Sequence, residues 1–390
     1  MTAPGRRALC LALGTASALG FGRFAYGLVL PAMAEDLHWD LARAGAMTAA
    51  NGLGYLAGAV ATATLARRIG VAATFRLGMV LCTVALAATA AGGHYTALLA
   101  ARVLAGIAGA LVFIAGAVLS PTAIYFAGAG AGILISGIAI PPLVDYAPQR
   151  WPLAWLGLAV AAGLATVASW TAAHPAGSVG EAPTTAPVRR LWPVATVYLL
   201  YAAGYLAYIT FLSAYLQDRH ASTAQTMLVW ILLGVAVMAA PRLWQRPIRH
   251  WPGGRTLTVL LGVIAVATTP LLLWPTPAIV MISAIAYGVT FMAVPAAVTE
   301  IVRTSTPPES MTRTLSTFTV IFALGQMAGP WLAGALADRT TPGTTLGWTA
   351  AWCGAAAALA AAAVRAAPDG SSRVRGSPPV DHESILRQRS

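Results

Sequence analysis

Twelve apolar runs of about twenty residues follow one another along this 390-residue chain, with little sequence between them. They cover about 9–33, 44–66, 73–92, 95–118, 120–144 and 152–172, then 192–216, 224–243, 255–274, 277–302, 312–336 and 345–366. About 20 helical residues cross a hydrocarbon core of about 30 Å. The expected fold is an all-α integral membrane protein of twelve transmembrane helices. Composition agrees: 58% of residues are hydrophobic and 9% charged, against about 25% charged in soluble domains.

Every cationic side chain is Arg, and the formal net charge is +12. In a soluble protein that excess would point to nucleic acid. Here the Arg residues sit mainly in short loops, so nucleic acid is not an expected partner. Eighteen fall on the side shared by the termini, four (Arg43, Arg150, Arg219, Arg339) on the other, and Arg23 and Arg102 inside spans. The positive-inside rule then puts both termini in the cytoplasm of a multi-pass protein of the cell's inner (plasma) membrane. Arg6-Arg7 and the run after them resemble a signal peptide, but the run is too long and leads into further spans. It is expected to remain as the first helix.

Six spans lie on each side of a Pro-, Ala-, Gly- and Thr-rich stretch, giving an N-terminal half 8–173, a cytoplasmic linker 174–191 and a C-terminal half 192–366. Residues 367–390 lack apolar periodicity and are expected to form a disordered cytoplasmic tail. The halves echo each other. Gly20-Phe21, Phe24 and Tyr26 in the first helix match Gly204-Tyr205, Tyr208 and Phe211 in the seventh, and both helices exit through an acidic segment. Two such six-helix bundles are the layout of a transporter built from parallel repeats.

Within the first span, Gly20-Phe-Gly-Arg-Phe-Ala-Tyr-Gly-Leu-Val-Leu-Pro31 holds the permanent cation Arg23. A charge in a span is costly and marks a functional site by default, facing a bundle interior or a wet cavity. This stretch, with Asn51-Gly-Leu-Gly-Tyr-Leu-Ala-Gly58, Tyr125-Phe-Ala-Gly-Ala-Gly130, Thr290-Phe-Met292 and Gly325-Gln-Met-Ala-Gly-Pro330, resembles the YbfB/YjiJ family of the major facilitator superfamily. The resemblance spans about residues 8 to 366 and implies a major facilitator fold and a transporter.

Arg102-Val-Leu-Ala-Gly106-Ile-Ala-Gly109 is similar to the superfamily's Arg-x-x-x-Gly-x-x-Gly pattern. Ala66-Arg-Arg-Ile-Gly70 matches the cytoplasmic latch pattern Asp-Arg-x-Gly-Arg at Arg68 and Gly70. Arg67 stands where Asp is expected and Val71 where Arg is, so an Asp-based latch does not carry over. Gly329-Pro330 resembles an antiporter element of another helix, and antiport is not inferred from it. Arg68, Gly70, Gly106, Gly109, Gly325, Gly329 and Pro330 are gating or helix-packing candidates.

Counting residues at 1.5 Å each places Arg23 and Arg102 roughly 10–15 Å below one surface. The helices that carry them line the central cavity of the resembled fold. Two cations without a buried acid favour an anionic substrate group, bound bidentately. Tyr26, Tyr205, Tyr208 and Gln326 are further substrate-binding candidates, each with packing or an interhelical bond as its plainer role; Tyr55 and Tyr201 belong to the same group of aromatics. Glu300 and Arg303 read as a surface pair. Gly128-x-Gly130-x-Gly132 follows no strand, so it reads as helix contact, not a phosphate loop.

Cys10, Cys82 and Cys353 are scattered, and all six His are expected in loops or the tail, so neither a metal nor a cofactor is expected. A membrane-embedded enzyme would need a buried acid pair, a His, or a nucleophile with its base. No span interior supplies them. The expected function is secondary active transport of a small, anionic solute by alternating access, with a proton as the candidate coupling ion and a monomeric chain. A non-transporting receptor on the same fold is the alternative.

Overall fold

Each apolar run becomes one long helix in the computed structural model, which describes residues 3–120, 122–173, 191–251, 253–306 and 308–366. Helix α1 passes through three stretches, Ala3–Thr15, Ala16–Phe24 and Tyr26–Asp36. Then follow α2 (Leu41–Ile69), α3 (Val71–Ala91), α4 (Tyr95–Leu119), α5 (Ala123–Tyr146) and α6 (Trp151–Trp170). The second half has α7 (Trp192–Asp218), α8 (Thr223–His250), α9 (Gly253–Thr268, continued by Pro270–Leu273) and α10 (Pro277–Phe291, continued by Ala293–Ser305). It closes with α11 (Pro308–Ala337) and α12 (Thr344–Ala366). The expected linker, apart from Leu191, and the tail lie outside the described residues.

Among the described residues, eleven helices are long and apolar enough to cross a membrane. Helix α2 is the twelfth long helix: its 29 residues suffice in length, but Asn51 and four glycines dilute its apolarity. Those groups are buried against neighbouring helices. Helix starts are capped from the chain itself. Asp40 accepts from the Arg43 N–H at 2.7 Å, and Ser222 with Gln225 forms a capping box on α8. Gly70 ends α2 at φ +88°, a left-handed turn that suits glycine.

Three details depart from the sequence reading. Helix α8 runs to His250, past the expected end at 243, so Arg246, Arg249 and His250 lie on helix, not in a loop. Cations in a last turn are favoured by the partial negative charge there. Helix α9 breaks before Pro270 and α10 at Met292, three residues before Pro295, because proline offers no N–H and crowds the carbonyl four residues back. The third departure is the π-helical stretch in α1.

The packing is pseudo-symmetric. In the first half α1 packs on α5, α2 on α4, and α3 on α6; in the second α7 packs on α11, α8 on α10, and α9 on α12. Between the halves α2 meets α11, α5 meets α8, and α1 meets α7. Glycine allows the closest approaches: a Cβ on Gly20 would stand 2.5 Å from the Gly132 Cα, and one on Gly130 2.5 Å from the Gly234 carbonyl. The Gly128–Gly132 series is thus helix contact, as its setting implied.

Twelve traversals bring Ala3 and Ala366 to the same end of the bundle, the terminal end. At the opposite, far end two carboxylates cross between the halves in matching positions. Asp338, just beyond α11, accepts the backbone N–H groups of Leu41 (2.7 Å) and Ala42 (2.9 Å) at the start of α2. Asp145, in the last turn of α5, accepts the Thr223 hydroxyl at the start of α8. Since α5 corresponds to α11 and α8 to α2, one device is used twice.

Candidate functional site

In α1, residues Ala16–Phe24 form a π-helix, with the Ala25 N–H reaching back five residues to the Gly20 carbonyl at 2.9 Å. Such stretches are rare and frequent at functional sites. From α4, Arg102 Nη1 donates to the Gly22 carbonyl at 2.8 Å. Its guanidinium carbon lies 5.0 Å from the Tyr26 ring centre and 5.5 Å from that of Trp155. Asn51 Nδ2 donates to the Arg102 carbonyl at 3.3 Å, and the Tyr26 hydroxyl donates to the Ala44 carbonyl at 2.8 Å. Arg102 is therefore held within the first half.

Arg23, one residue further along, turns toward the second half. Its Nη2 donates to the Tyr205 hydroxyl at 3.2 Å and to Gln326 Oε1, and its guanidinium lies 5.3 Å from the Tyr55 ring centre. Arg23 is 8% exposed and Gln326 fully buried. Among the described residues, Arg23 Nε and Gln326 Nε2 are buried donors without a partner. Such a donor costs on the order of 1–3 kcal/mol. The carboxylates of the described residues stand at helix ends, so Arg23 meets neutral acceptors only.

Tyr198, Tyr201, Tyr205 and Tyr208 recur at helical spacing on one face of α7, and their rings start a stack. Tyr201 and Tyr205 stack at 4.7 Å, Tyr205 faces Phe291 at 6.2 Å and Phe322 at 5.7 Å, and Tyr208 lies on Tyr287 at 4.1 Å. Interplanar angles of 16–21° across these four contacts make the stack a nearly flat slab. Backbone carbonyls anchor it: Tyr287 donates to that of Tyr205 at 2.7 Å and Tyr201 to that of Phe291 at 2.5 Å.

Of the sequence candidates, Arg23, Tyr205 and Gln326 come together, with Tyr55 beside them. Tyr208 sits deeper in the slab, its hydroxyl 3.1 Å from Ser283 Oγ. Arg102 and Tyr26 pair with each other. The equal depth inferred for the two Arg residues is consistent with the Arg102–Gly22 contact, but their guanidinium groups serve different surroundings. Tyr198, Phe291, Phe322, Tyr287 and Ser283 were not among the binding candidates; Tyr198 gave a signal as the fourth tyrosine on its face, and Phe291 stood within the Thr290-Phe-Met292 motif.

The packing candidates inside the spans fall on helix contacts, whereas Gly70 stands in open space at the end of α2. Gly106 sits against the Asn51–Tyr55 backbone, Gly109 in ordinary contact with the Tyr55 ring, and Gly325 and Gly329 bring α11 onto α7. The Pro330 carbonyl lies against Gly45 of the other half. Arg68 is exposed beside Gly70 at the terminal end. Arg303 pairs with Glu300 at 2.6 Å, as expected of a surface pair. Among the described residues no group of metal-ligating side chains occurs.

Two six-helix halves around a polar seam define the major facilitator fold, and solved structures of that fold superpose on the chain. The nucleoside transporter NupG (D323A mutant) aligns with a TM-score of 0.70 at 13% identity, over 91% of this chain and 99% of its own. A bacterial homolog of the human lysosomal transporter Spinster, inward-facing and unoccupied, gives 0.63 at 15% identity, over 94% and 96%. The human organic anion transporter MFSD10 (TETRAN) gives 0.58 at 14%, over 92% and 100%. These likenesses concern the fold. Residues 15–366 match the family described as uncharacterised MFS-type transporter YbfB, and the chain belongs to that family. It is a multi-pass membrane transporter that handles a small-molecule substrate. No curated protein matches it in sequence.

Proposed function

We propose that the protein is a secondary active transporter that carries a small anionic solute between its two halves by alternating access. One observation carries this reading: the buried guanidinium of Arg23 projects from the first half onto neutral acceptors of the second. A cation kept in a membrane interior without a carboxylate is poised for an anion supplied by the substrate. Two helices and the opposite half would then share that anion, which couples binding to the relative position of the halves.

The Arg bias orients the chain with its termini, and so the terminal end, in the cytoplasm. The far end is then external, and the state described is closed to the outside. The Asp338 and Asp145 bonds act as its external latch, while the cytoplasmic loop at Arg67 lacks the acid of the usual pattern. The linker serves as a tether between halves. The test is counterflow in proteoliposomes with a panel of labelled organic anions. Exchange in wild type and its loss in Arg23→Ala are expected; anions that bind without crossing would make the protein a receptor.

A further inference from the structure

The chemistry of the seam narrows the substrate class, an inference that rests on the anionic reading above. We propose that the Arg23 site takes a monocarboxylate with a planar, apolar body, such as an aromatic acid. Three features lead there.

The first is the geometry of the donors. Nε and Nη2 form one edge of a guanidinium fork, the edge that matches the two oxygens of a carboxylate. In this state Gln326 Oε1 and the Tyr205 hydroxyl occupy Nη2, and Nε has no partner among the described residues. An amide carbonyl therefore holds half of a two-pronged seat. A carboxylate entering it takes both prongs and displaces the Gln326 carbonyl. The freed amide then offers Nε2, also unpartnered, to a carboxylate oxygen. One ligand group satisfies the two orphan donors that face each other across the seam, Arg23 Nε and Gln326 Nε2.

The second is the charge balance. Arg102, the other intramembrane cation, also keeps an unpartnered Nε, but its guanidinium is turned into the first half, onto the Gly22 carbonyl and between Tyr26 and Trp155. Its partners are neutral and lie in the first half, so Arg23 is the cation that the described residues present to the seam, where a ligand would meet it. A monoanion neutralises it, whereas a dianion would leave a buried negative charge unmatched. An ammonium group would sit beside Arg23 with no carboxylate to receive it. Dicarboxylates, phosphate esters and zwitterionic amino acids are disfavoured together.

The third is the wall. Tyr205 belongs both to the donor cluster and to the flat ring slab. Exposure persists at Tyr198 (7%) and Tyr205 (4%), whereas Tyr201 and Tyr208 have none. Phe322, stacked on Tyr205, is half-buried as well, so the slab is incompletely covered at the ring whose hydroxyl meets Arg23. An aromatic body extends such a stack, while a puckered ring or a short chain leaves it uncovered.

The test uses the purified full-length protein. Binding of benzoate, 4-hydroxybenzoate, 2-naphthoate and cinnamate is measured by calorimetry and thermal shift, beside terephthalate, benzamide, phenylalanine, cyclohexanecarboxylate and sulfate. At least one planar monocarboxylate should bind tenfold or more tightly than its neutral, dianionic and zwitterionic counterparts, and several-fold more tightly than cyclohexanecarboxylate. Gln326→Glu, which supplies an internal carboxylate to Arg23, should abolish that binding while the thermal transition persists. If terephthalate or sulfate binds equally well and still depends on Arg23, the anion site stands and the monocarboxylate assignment falls. If no anion binds, or binding survives Arg23→Ala, both fall. The ligand comparison in wild type decides the assignment even if a variant does not fold.

Discussion

Arg102 Nη1 meets the Gly22 carbonyl at 2.8 Å, so a helix of the first half fixes the backbone immediately before Arg23. The two arginines thereby divide the work at one level of the membrane. One props the π-helical turn, and the other presents its charge to the seam. Removing the prop should act on the site indirectly. Arg102→Ala should lower stability by about 1.5–3 kcal/mol, the range for a hydrogen bond to a charged group. Ligand affinity should fall by less than in Arg23→Ala, and equally for all ligands. Thermal unfolding and calorimetry on the same samples separate the two effects; a change in ligand preference would place Arg102 in the site itself.

Arg23 is predicted to act through its planar fork as well as its charge. Arg23→Lys keeps the charge but loses the paired donors. Affinity for an active anionic ligand should drop by tenfold to a hundredfold, about 1.5–3 kcal/mol, while Arg23→Ala should show no measurable binding. Both variants should insert in the membrane, as size-exclusion profiles in detergent can verify. Equal affinity in Arg23→Lys and wild type would reduce the role of Arg23 to a point charge.

The far-end latch predicts a shift in conformational population. Asp338 accepts two N–H groups at the start of α2, where helix N-termini favour a negative charge. Asp338→Asn should cost the closed state about 1 kcal/mol, roughly a fivefold change in population. Thr48 lies behind this latch, with its hydroxyl 3.3 Å from that of Thr210 across the seam. In a Thr48→Cys background, alkylation by an impermeant maleimide from the far side should speed up about fivefold with Asp338→Asn. Asp145→Asn should add to it, because the two latches stand at different helix pairs. Unchanged labelling in the double variant would show that packing alone closes the far end.

How much of this could be read beforehand depends on range. Hydropathy is local, so the helices and the six-plus-six division stand in the sequence. Arg23, Tyr205 and Gln326 could also be singled out, each a polar or aromatic residue in an apolar span. Their meeting could not, because Tyr205 and Gln326 lie 182 and 303 residues from Arg23. Nor could the direction of Arg102, since depth along a helix says nothing about which neighbour a side chain faces. The π-helical turn has no local motif either; it accompanies glycines that let α1 and α5 touch.

Glycines at the seam give the most direct test of alternating access. A Cβ on Gly45 would fall on the backbone of Pro330 in α11, and one on Gly27 on the Ile209 carbonyl in α7. Both contacts join the two halves, so Gly45→Ala and Gly27→Ala obstruct the closed far end; Gly27→Ala also presses on the buried Trp230 ring of the second half at 3.1 Å, which makes Gly45→Ala the cleaner variant. Gly54 offers the control, because its Cβ would meet the Val103 backbone within the first half. If the halves move as bodies, Gly45→Ala should yield folded protein biased to the state open at the far end. The Thr48→Cys reporter should label at least as fast as with Asp338→Asn, and exchange in proteoliposomes should slow. Gly54→Ala, clashing in every state, should instead lose folded protein. If Gly45→Ala fails to fold as Gly54→Ala does, α2 and α11 do not separate during the cycle. The two halves would then form one fixed body, and the alternating-access reading would have to be given up.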